Sequence, residues 1–384
     1  MNLPIPQKFN AQKYKVGLSV FKKRADNIKL SANESALGPS PKAIKKFLKV
    51  SKNLKRYPDS DGIFLRNVIA KKFKLDSNRI ILGSGSDQIF ELICKAFLNK
   101  NDEVIVPEFS FIIYRIYSKI YGAKIKYAKE LNFKISIKNI LSKVTKKTKI
   151  VFIANPNNPT GTIIGKKELL QLRKKLRSNI LLVVDDAYFE YVKDKKYLSG
   201  LKLFSNSKNV IVTRTFSKSY SLAGSRVGYA VASPDLVKVL DSVREVYNLD
   251  RMSQAAAYAA LKDQEYFEKC LQKILDERQR AYEFFISLGW RTTDSHANFI
   301  FTEPEIADVG LAEAEAFATG RKIRVTKVPF SSNAKALINN DPLGFVKIVS
   351  DPNTGHVLGG SIVGQHAAEL ISVVALAVSA NLKV

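Results

Sequence analysis

"NVIVTRTFSKSYSLAGSRVGYAVA", Asn209 to Ala232, decides how the rest of the chain is read. Two apolar runs flank a polar turn that carries Lys218, the hydroxyls of Thr215 and Ser217, and Arg226 eight residues beyond the lysine. Short apolar runs closed by polar residues are the pattern of buried strands whose ends carry chemistry. Working outward, the pattern recurs. "RIILG" precedes the helical "DQIFELICKAFLN", "DEVIVP" precedes "FSFIIYRIYSKIYG", "TKIVFIANP" leads to "KKELLQLRKKL", and "NILLVVDDAY" follows. This alternation predicts an α/β domain with a mostly parallel central sheet between helices. Residues 252–287 read as one long helix.

Ligands of such sheets bind beyond the carboxyl ends of the strands, so the closing residues are the candidates. "GSGSD" (Gly83–Asp87) stands between strand and helix, where unpaired N–H groups form a phosphate cradle. "NPNNPTG" (Asn155–Gly161) is built of turn formers and points an amide out of the sheet edge. The run ending in Asp185 and Asp186 places carboxylates at the end of a buried strand. A protonated heterocyclic nitrogen, a helix N-terminus or a metal are the partners such a group needs. Tyr188 adds a phenol nearby. A lysine such as Lys218 attacks carbonyls when desolvation lowers its pKa. Thr215 and Ser217 can hydrogen-bond a phosphate, and Arg226 can grip it as a fork. A phosphate cradle, an aspartate for a pyridine nitrogen, Asn and Tyr for a ring hydroxyl and a lysine for an aldehyde are together what pyridoxal 5'-phosphate requires.

Composition sets the frame. At 384 residues the chain can bury a large core, in two or three structural units. Its net charge of +27 comes from scattered lysines, with no basic stripe interleaved with aromatics. That charge is read as lysine usage rather than nucleic-acid binding. No apolar run reaches the roughly 18 residues that span a bilayer, and the start lacks a signal-peptide pattern. Cys94 and Cys270 sit in helical patterns without a Cys/His cluster, which argues against a disulfide framework or a metal site. A cytoplasmic protein acting on small molecules is expected, with neither nucleic acid nor membrane as partner. From Glu303 onward there are 7 Lys+Arg against 8 Asp+Glu, where the whole chain has 62 against 35, and Ala, Gly and Val replace Lys, Asn and Ile. A shift of this kind marks a boundary.

The motifs together resemble the fold-type I PLP-dependent aminotransferases, and within them the histidinol-phosphate branch, over about residues 14–301. "KYKVG" (with Val16 where proline is usual), "KLSANESALGPSP", "RYPD", "GSD", "NPNNPTG", "VVDDAY", "TFSKSYSLAGSRVGY" and "SHANFIF" follow in family order. The resemblance implies that Lys218 joins the cofactor's aldehyde and shuttles a proton between the substrate's α-carbon and the cofactor's C4′. It implies Asp185 on the ring nitrogen, Asn158 and Tyr188 on the 3′ oxygen, and Phe109 stacked on the ring. Ser86, Asp87, Thr215, Ser217 and Arg226 would bind the phosphate. Tyr57 would reach the phosphate of a neighbouring subunit, which implies a homodimer, while Tyr14 and Asn33 would close over the substrate. The implied reaction moves an amino group between glutamate/2-oxoglutarate and histidinol phosphate/imidazole-acetol phosphate. An aromatic aminotransferase or phosphothreonine decarboxylase of the same fold type, or a non-catalytic fusion chain, are the alternatives.

With "EPEIADVGLAEAEA", "IRVTKVPFSSNAKALI" and "GFVKIVSDPNTGHVLGGSIVGQHAAELISVVALAV", the stretch from Glu303 to Val384 instead resembles the C-terminal dimerisation domain of dihydrolipoamide dehydrogenase. An atypical α+β segment is expected there. The aminotransferase family's late arginine motif is missing, and Arg321 and Arg324 do not match it. The expected organisation is an N-terminal arm with part of a small domain (1–45) and a cofactor-binding large domain with its connecting helix (46–290). A small-domain remnant (291–302) and the foreign segment (303–384) complete it.

Overall fold

The computed structural model describes residues 32–384 apart from 304, 319, 339–341 and 365. Two units divide the chain. The first runs up to Arg280 and takes in Thr293–Ile300, and the second is Ala281–Thr292 with Phe301–Val384.

In the first unit, α1 (Pro41–Ser51) and α2 (Ile63–Phe73) precede the alternating part. That part runs β1 (Ile80–Ser84), α3 (Gly85–Phe97), β2 (Glu103–Pro107), α4 (Ile112–Ile120), β3 (Lys124–Ala128), α5 (Ile137–Ser142), β4 (Thr148–Ala154) and α6 (Lys166–Lys175). It continues through β5 (Leu181–Asp185), α7 (Gly200–Phe204), β6 (Val210–Thr215), β7 (Val227–Val231) and α8 (Pro234–Ser242). The seven strands form one sheet in the order β1-β7-β6-β5-β4-β2-β3. Strands β3, β2, β4, β5 and β6 pair in parallel, and β7 runs antiparallel to both its neighbours. The mostly parallel sheet expected from the apolar runs is therefore the one observed.

The central strands are largely apolar because both their faces are covered. Ile105, Val151, Ile153, Val184 and Val212 point into a core with α2 and α6, represented by Leu65, Ile69 and Leu169. Their neighbours Val104, Val106, Ile150, Phe152, Val183 and Ile211 point the other way, against Ile89, Phe90 and Ile93 of α3. A strand's period of two divides one run between two helical layers.

One expectation fails. Residues 252–287 are two helices, α9 (Arg251–Lys262) and α10 (Gln264–Ser287), broken at Asp263. The Asp263 carboxylate accepts from the Ser40 hydroxyl and from Lys42 Nζ at 2.7 Å, and its backbone leaves the helical region (φ −91°, ψ 68°). Ser40 is also the N-cap of α1. A tertiary ion pair thus ends one helix while the pattern of apolar residues runs on.

The second unit has a two-stranded sheet, β8 (Arg291–Thr292) with β9 (Thr302–Glu303). Its main sheet is four antiparallel strands, β10 (Ile306–Gly310), β13 (Val357–Val363), β12 (Phe345–Ser350) and β11 (Arg324–Pro329), in that spatial order. Helices α11 (Glu313–Ala318), α12 (Ala334–Ile338) and α13 (Ala367–Ser379) complete it. Val357, Ile362, Ala367 and Val374 form its own core, so the segment expected to be α+β is so. No helix of the described residues is long and apolar enough to cross a membrane.

Candidate active site

The site is built where β5 and β6 end and α3 begins. Asp185, the last residue of β5, is 5% exposed. Its Oδ2 accepts from the Tyr114 hydroxyl at 2.6 Å. Its Oδ1 accepts from the Thr213 hydroxyl at 3.1 Å and the Ala187 N–H at 3.2 Å. Burial pushes the carboxyl up to about 6 even against these donors. Asp186 has the other fate open to such a carboxylate. It turns to the opposite side of the sheet and accepts from the Gly200 and Leu201 N–H groups at the start of α7 and from Arg214 at 3.4 Å. The Arg214 guanidinium lies 3.4 Å from the Phe189 ring centroid and 4.6 Å from that of Phe73.

Lys218 sits in the turn after β6, half-buried. Its Nζ donates to the Ala32 carbonyl at 2.8 Å and lies 5.9 Å from the Tyr188 ring centroid. Burial lowers its pKa to about 8, with Asp87, Glu34 and Asp185 opposing and Arg226 reinforcing the shift. The amine is therefore available unprotonated to a far greater extent than an exposed lysine near 10.4.

Arg226, at φ +50°, sends Nη2 to Asp87 at 3.2 Å and Nη1 to the Ser217 hydroxyl at 3.4 Å. Its carbonyl accepts the Gly85 N–H at 2.9 Å. Gly85 has φ +74°, and a Cβ there would run into the Arg226 guanidinium. A Cβ on Gly228 would collide with the backbone N–H of Ser86. These two glycines let the arginine and β7 close onto the N-terminus of α3, where Ser86 and Asp87 lie in the first turn. Burial raises the Asp87 carboxyl, and Arg226 and Lys218 pull it back. The Thr215 hydroxyl accepts the Ser217 N–H at 3.0 Å and donates to the Val227 carbonyl at 3.4 Å, so it holds the turn.

The three asparagines of "NPNNPTG" part ways. Asn155 exchanges two hydrogen bonds with Ile164. Asn157 donates to the Phe109 carbonyl and the Thr160 hydroxyl. Asn158, half-buried, makes no side-chain hydrogen bond among the described residues. Phe109 is exposed, its N–H donating to Glu130 and its ring 5.8 Å from that of Phe133. The Tyr188 hydroxyl accepts from Asn33 Nδ2 at 3.2 Å, and Asn33 is held in turn by Asn298, whose Nδ2 donates to its carbonyl. Tyr57 stands apart, 75% exposed and stacked on Tyr247 with ring centroids 4.5 Å apart. Tyr14 lies outside the described residues.

Three residues were missed. Thr213 was legible, since it precedes Thr215 by two on β6 and so shares its face. Asn298 lies in the quoted "SHANFIF" but was given no role. Tyr114 carries no sequence signal, since its partner Asp185 lies 71 residues away and the two meet only in the folded chain. No group of three or more His, Cys, Asp or Glu among the described residues could hold a metal ion.

The cradle, with glycines where a Cβ would fill it and Arg226, Ser217 and the α3 N–H groups around it, fits a phosphate monoester. Asp185 fits a protonated ring nitrogen, and Lys218 fits an aldehyde.

Comparison with known proteins agrees with this chemistry. Residues 25–320 match the family described as aminotransferase class I and II. Residues 296–384 match the dimerisation domain of pyridine nucleotide-disulphide oxidoreductases. The chain is 44% identical over 361 residues to histidinol-phosphate aminotransferase of Pelagibacter ubique (strain HTCC1062), covering 88% of this chain and 100% of that one. It is 40% identical over 294 residues to the enzyme of the same name from Rhodopseudomonas palustris (strain BisA53), covering 76% and 80%. Among solved structures, histidinol-phosphate aminotransferase from Sinorhizobium meliloti in complex with pyridoxal-5'-phosphate matches with a TM-score of 0.68 at 22% identity, over 91% of this chain and 90% of that one. Aspartate aminotransferase from Thermus thermophilus with maleate matches at 0.66 and 21% identity, over 72% and 76%.

Proposed function

The chain belongs to the class I and II aminotransferases, and on that premise we propose that it binds pyridoxal 5'-phosphate through Lys218 and transfers the amino group of histidinol phosphate. The carrying observation is the pair of Asp185, buried at the end of β5, and Lys218, desolvated over the Tyr188 ring. When bound, the cofactor supplies a ring that accepts the electron pair left as a proton leaves the substrate's α-carbon.

The protein's part is binding, orientation and proton movement. Ser86 and Asp87, through backbone or side chain, hold the phosphate with Ser217 and Arg226, and Thr215 supports the turn. Asp185 keeps the ring nitrogen protonated, Asn158 and Tyr188 hold the 3′ oxygen, and Phe109 covers the ring face. The Lys218 amine takes the proton at the α-carbon and delivers it to C4′. With a pKa near 8, roughly a tenth of it is neutral at pH 7. Asn33, tied to Tyr188 and Asn298, bounds the substrate side. The exposed Tyr57–Tyr247 stack, with exposed Leu54, Ile63, Phe64 and Val246 close by in sequence, suits a second copy of the chain, to whose phosphate site Tyr57 would contribute. The second unit supports a replaced small domain, since its match is to a different family.

The experiment is direct. Pyridoxal 5'-phosphate added to the purified protein is expected to give a visible absorbance band, and borohydride to fix the cofactor on Lys218. Histidinol phosphate should then discharge the band in a single turnover more readily than phenylalanine or phosphothreonine. A reduced adduct absent from Lys218 refutes the cofactor reading, and preference for another amine refutes the substrate.

A further inference from the structure

The Asp185 carboxylate has four lone-pair positions, and the structure accounts for three. Thr213 and the Ala187 N–H fill Oδ1, and Tyr114 takes one side of Oδ2. A ring N–H arriving at Asp185 therefore meets Oδ2, the oxygen that already accepts from Tyr114. The Tyr114 hydroxyl is fully buried and reaches this carboxylate at 2.6 Å, in the short range of charge-assisted bonds. Its ring is clamped by packing. It stacks on Phe152 (5.0 Å, 3°) and meets Phe90 edge-on at 4.9 Å and Phe111 at 5.7 Å. Those contacts fix where the hydroxyl points without using it.

We propose that Tyr114 is a positioning residue that keeps Asp185 ionised with Oδ2 turned to the cofactor's ring nitrogen, and so sets how tightly the site holds that ring. The inference rests on the cofactor reading above. In a site this dry the carboxylate is held charged only by its donors, and Tyr114 provides the shortest of them. The titratable groups around Asp185 are Tyr114 from α4 and Lys218 from the turn after β6, with Asp186, next in the chain, acting from the other side of the sheet. Asp87 of α3 and Tyr188 face the Tyr114 phenol in turn.

Tyr114→Phe removes the donor and keeps every ring contact. In cofactor-free protein, infrared difference spectra against Asp185→Asn report the Asp185 carboxyl through a pH titration. Loss of one hydrogen bond to a charged group should move its midpoint up by about 1–2 units. In parallel, equilibrium titration with pyridoxal 5'-phosphate at pH 7.5 should show affinity weakened on the order of tenfold in Tyr114→Phe, with a change no greater than about twofold when the same substitution is made in Asp185→Asn. An unmoved Asp185 midpoint overturns the proposal. So does an equal affinity loss in both backgrounds, because a packing role would not depend on the carboxylate. Should wild-type protein fail to bind the cofactor at all, the cofactor reading fails, and the titration in cofactor-free protein still decides the role of Tyr114.

Discussion

Replacing Gly85 by alanine tests the phosphate cradle at its narrowest point. Gly85 opens α3 with φ +74°, its N–H bonded to the Arg226 carbonyl, and an added methyl would press on the Arg226 guanidinium. A residue with a Cβ in left-handed backbone costs about 1–2 kcal/mol, so the folded state should lose about that much. The larger effect is on the ligand. Displaced from Ser217 and Asp87, Arg226 can no longer close over the α3 N-terminus, and a phosphate loses a charge-assisted bond worth about 1.5–3 kcal/mol. Affinity for pyridoxal 5'-phosphate should fall on the order of 10–100-fold. Gly224, two residues before Arg226 in the turn between β6 and β7, is the control. Its φ is ordinary and a Cβ there meets open space, so Gly224→Ala should bind within roughly twofold of wild type. The assay is a cofactor titration by absorbance, paired with thermal melts to show that both variants are folded. Equal binding by the two alanine variants would refute the placing of the phosphate.

The adjacent carboxylates should respond with opposite signs. Asp185 titrates near 6 in the folded chain against 3.8 ordinarily, so the folded state holds the extra proton between those values. Stability therefore falls as pH rises through that window, and the cost is fully present above about 6. Asp185→Asn should stabilise the cofactor-free protein by about 1–2 kcal/mol at pH 7.5, the gain fading below pH 4, while cofactor affinity drops; urea unfolding at both pH values checks this, and a less stable variant at pH 7.5 overturns it. Asp186→Asn leaves the Arg214 guanidinium buried without its carboxylate partner, and should destabilise by about 3 kcal/mol; a loss below about 1 kcal/mol counts against the pair. A third expectation concerns glutamate. Without the family's late arginine motif its half-reaction should run on the order of 10–100-fold slower than that of the Pelagibacter ubique relative, measured in single turnover, and equal rates would show that another group grips the carboxylate.

The α/β fold was legible because its central strands are buried on both faces and read as unbroken apolar runs. Strand β3 escaped for the opposite reason. "KIKYA" is an edge strand with lysines and partial exposure, and its one fully buried residue is Ala128. The break at Asp263 escaped because the partners of its carboxylate, Ser40 and Lys42, lie 223 and 221 residues away, while the local pattern is helical on both sides. The composition changes at Glu303, and the second unit, which takes in Phe301–Val384, has its own small core and few lysines.

The site divides along the same line. Lys218 and Asp185 stand out because they follow or close an apolar run at a strand's carboxyl end, and Arg226 because it opens the antiparallel run that starts at the same edge. What the sequence leaves open is which of two like neighbours faces that ligand. Asp185 and Asp186 are chemically identical and adjacent, yet period two sends one to Tyr114 and Thr213 and the other to Arg214 and the start of α7. The same holds for Asn155, Asn157 and Asn158, where the loop's own bonds take the first two amides. Asn158 is the amide that the loop does not consume, whereas Asp185 is as fully bonded as Asp186 and differs only in the side of the sheet it faces and in one open position on Oδ2. Asn158 is thus recognised by subtraction, after its neighbours' hydrogen bonds have been assigned. Tyr114 shows the converse. Its hydroxyl is consumed by one bond, but the acceptor is the group the chemistry uses, so a fully satisfied core tyrosine becomes part of the site's electrostatics.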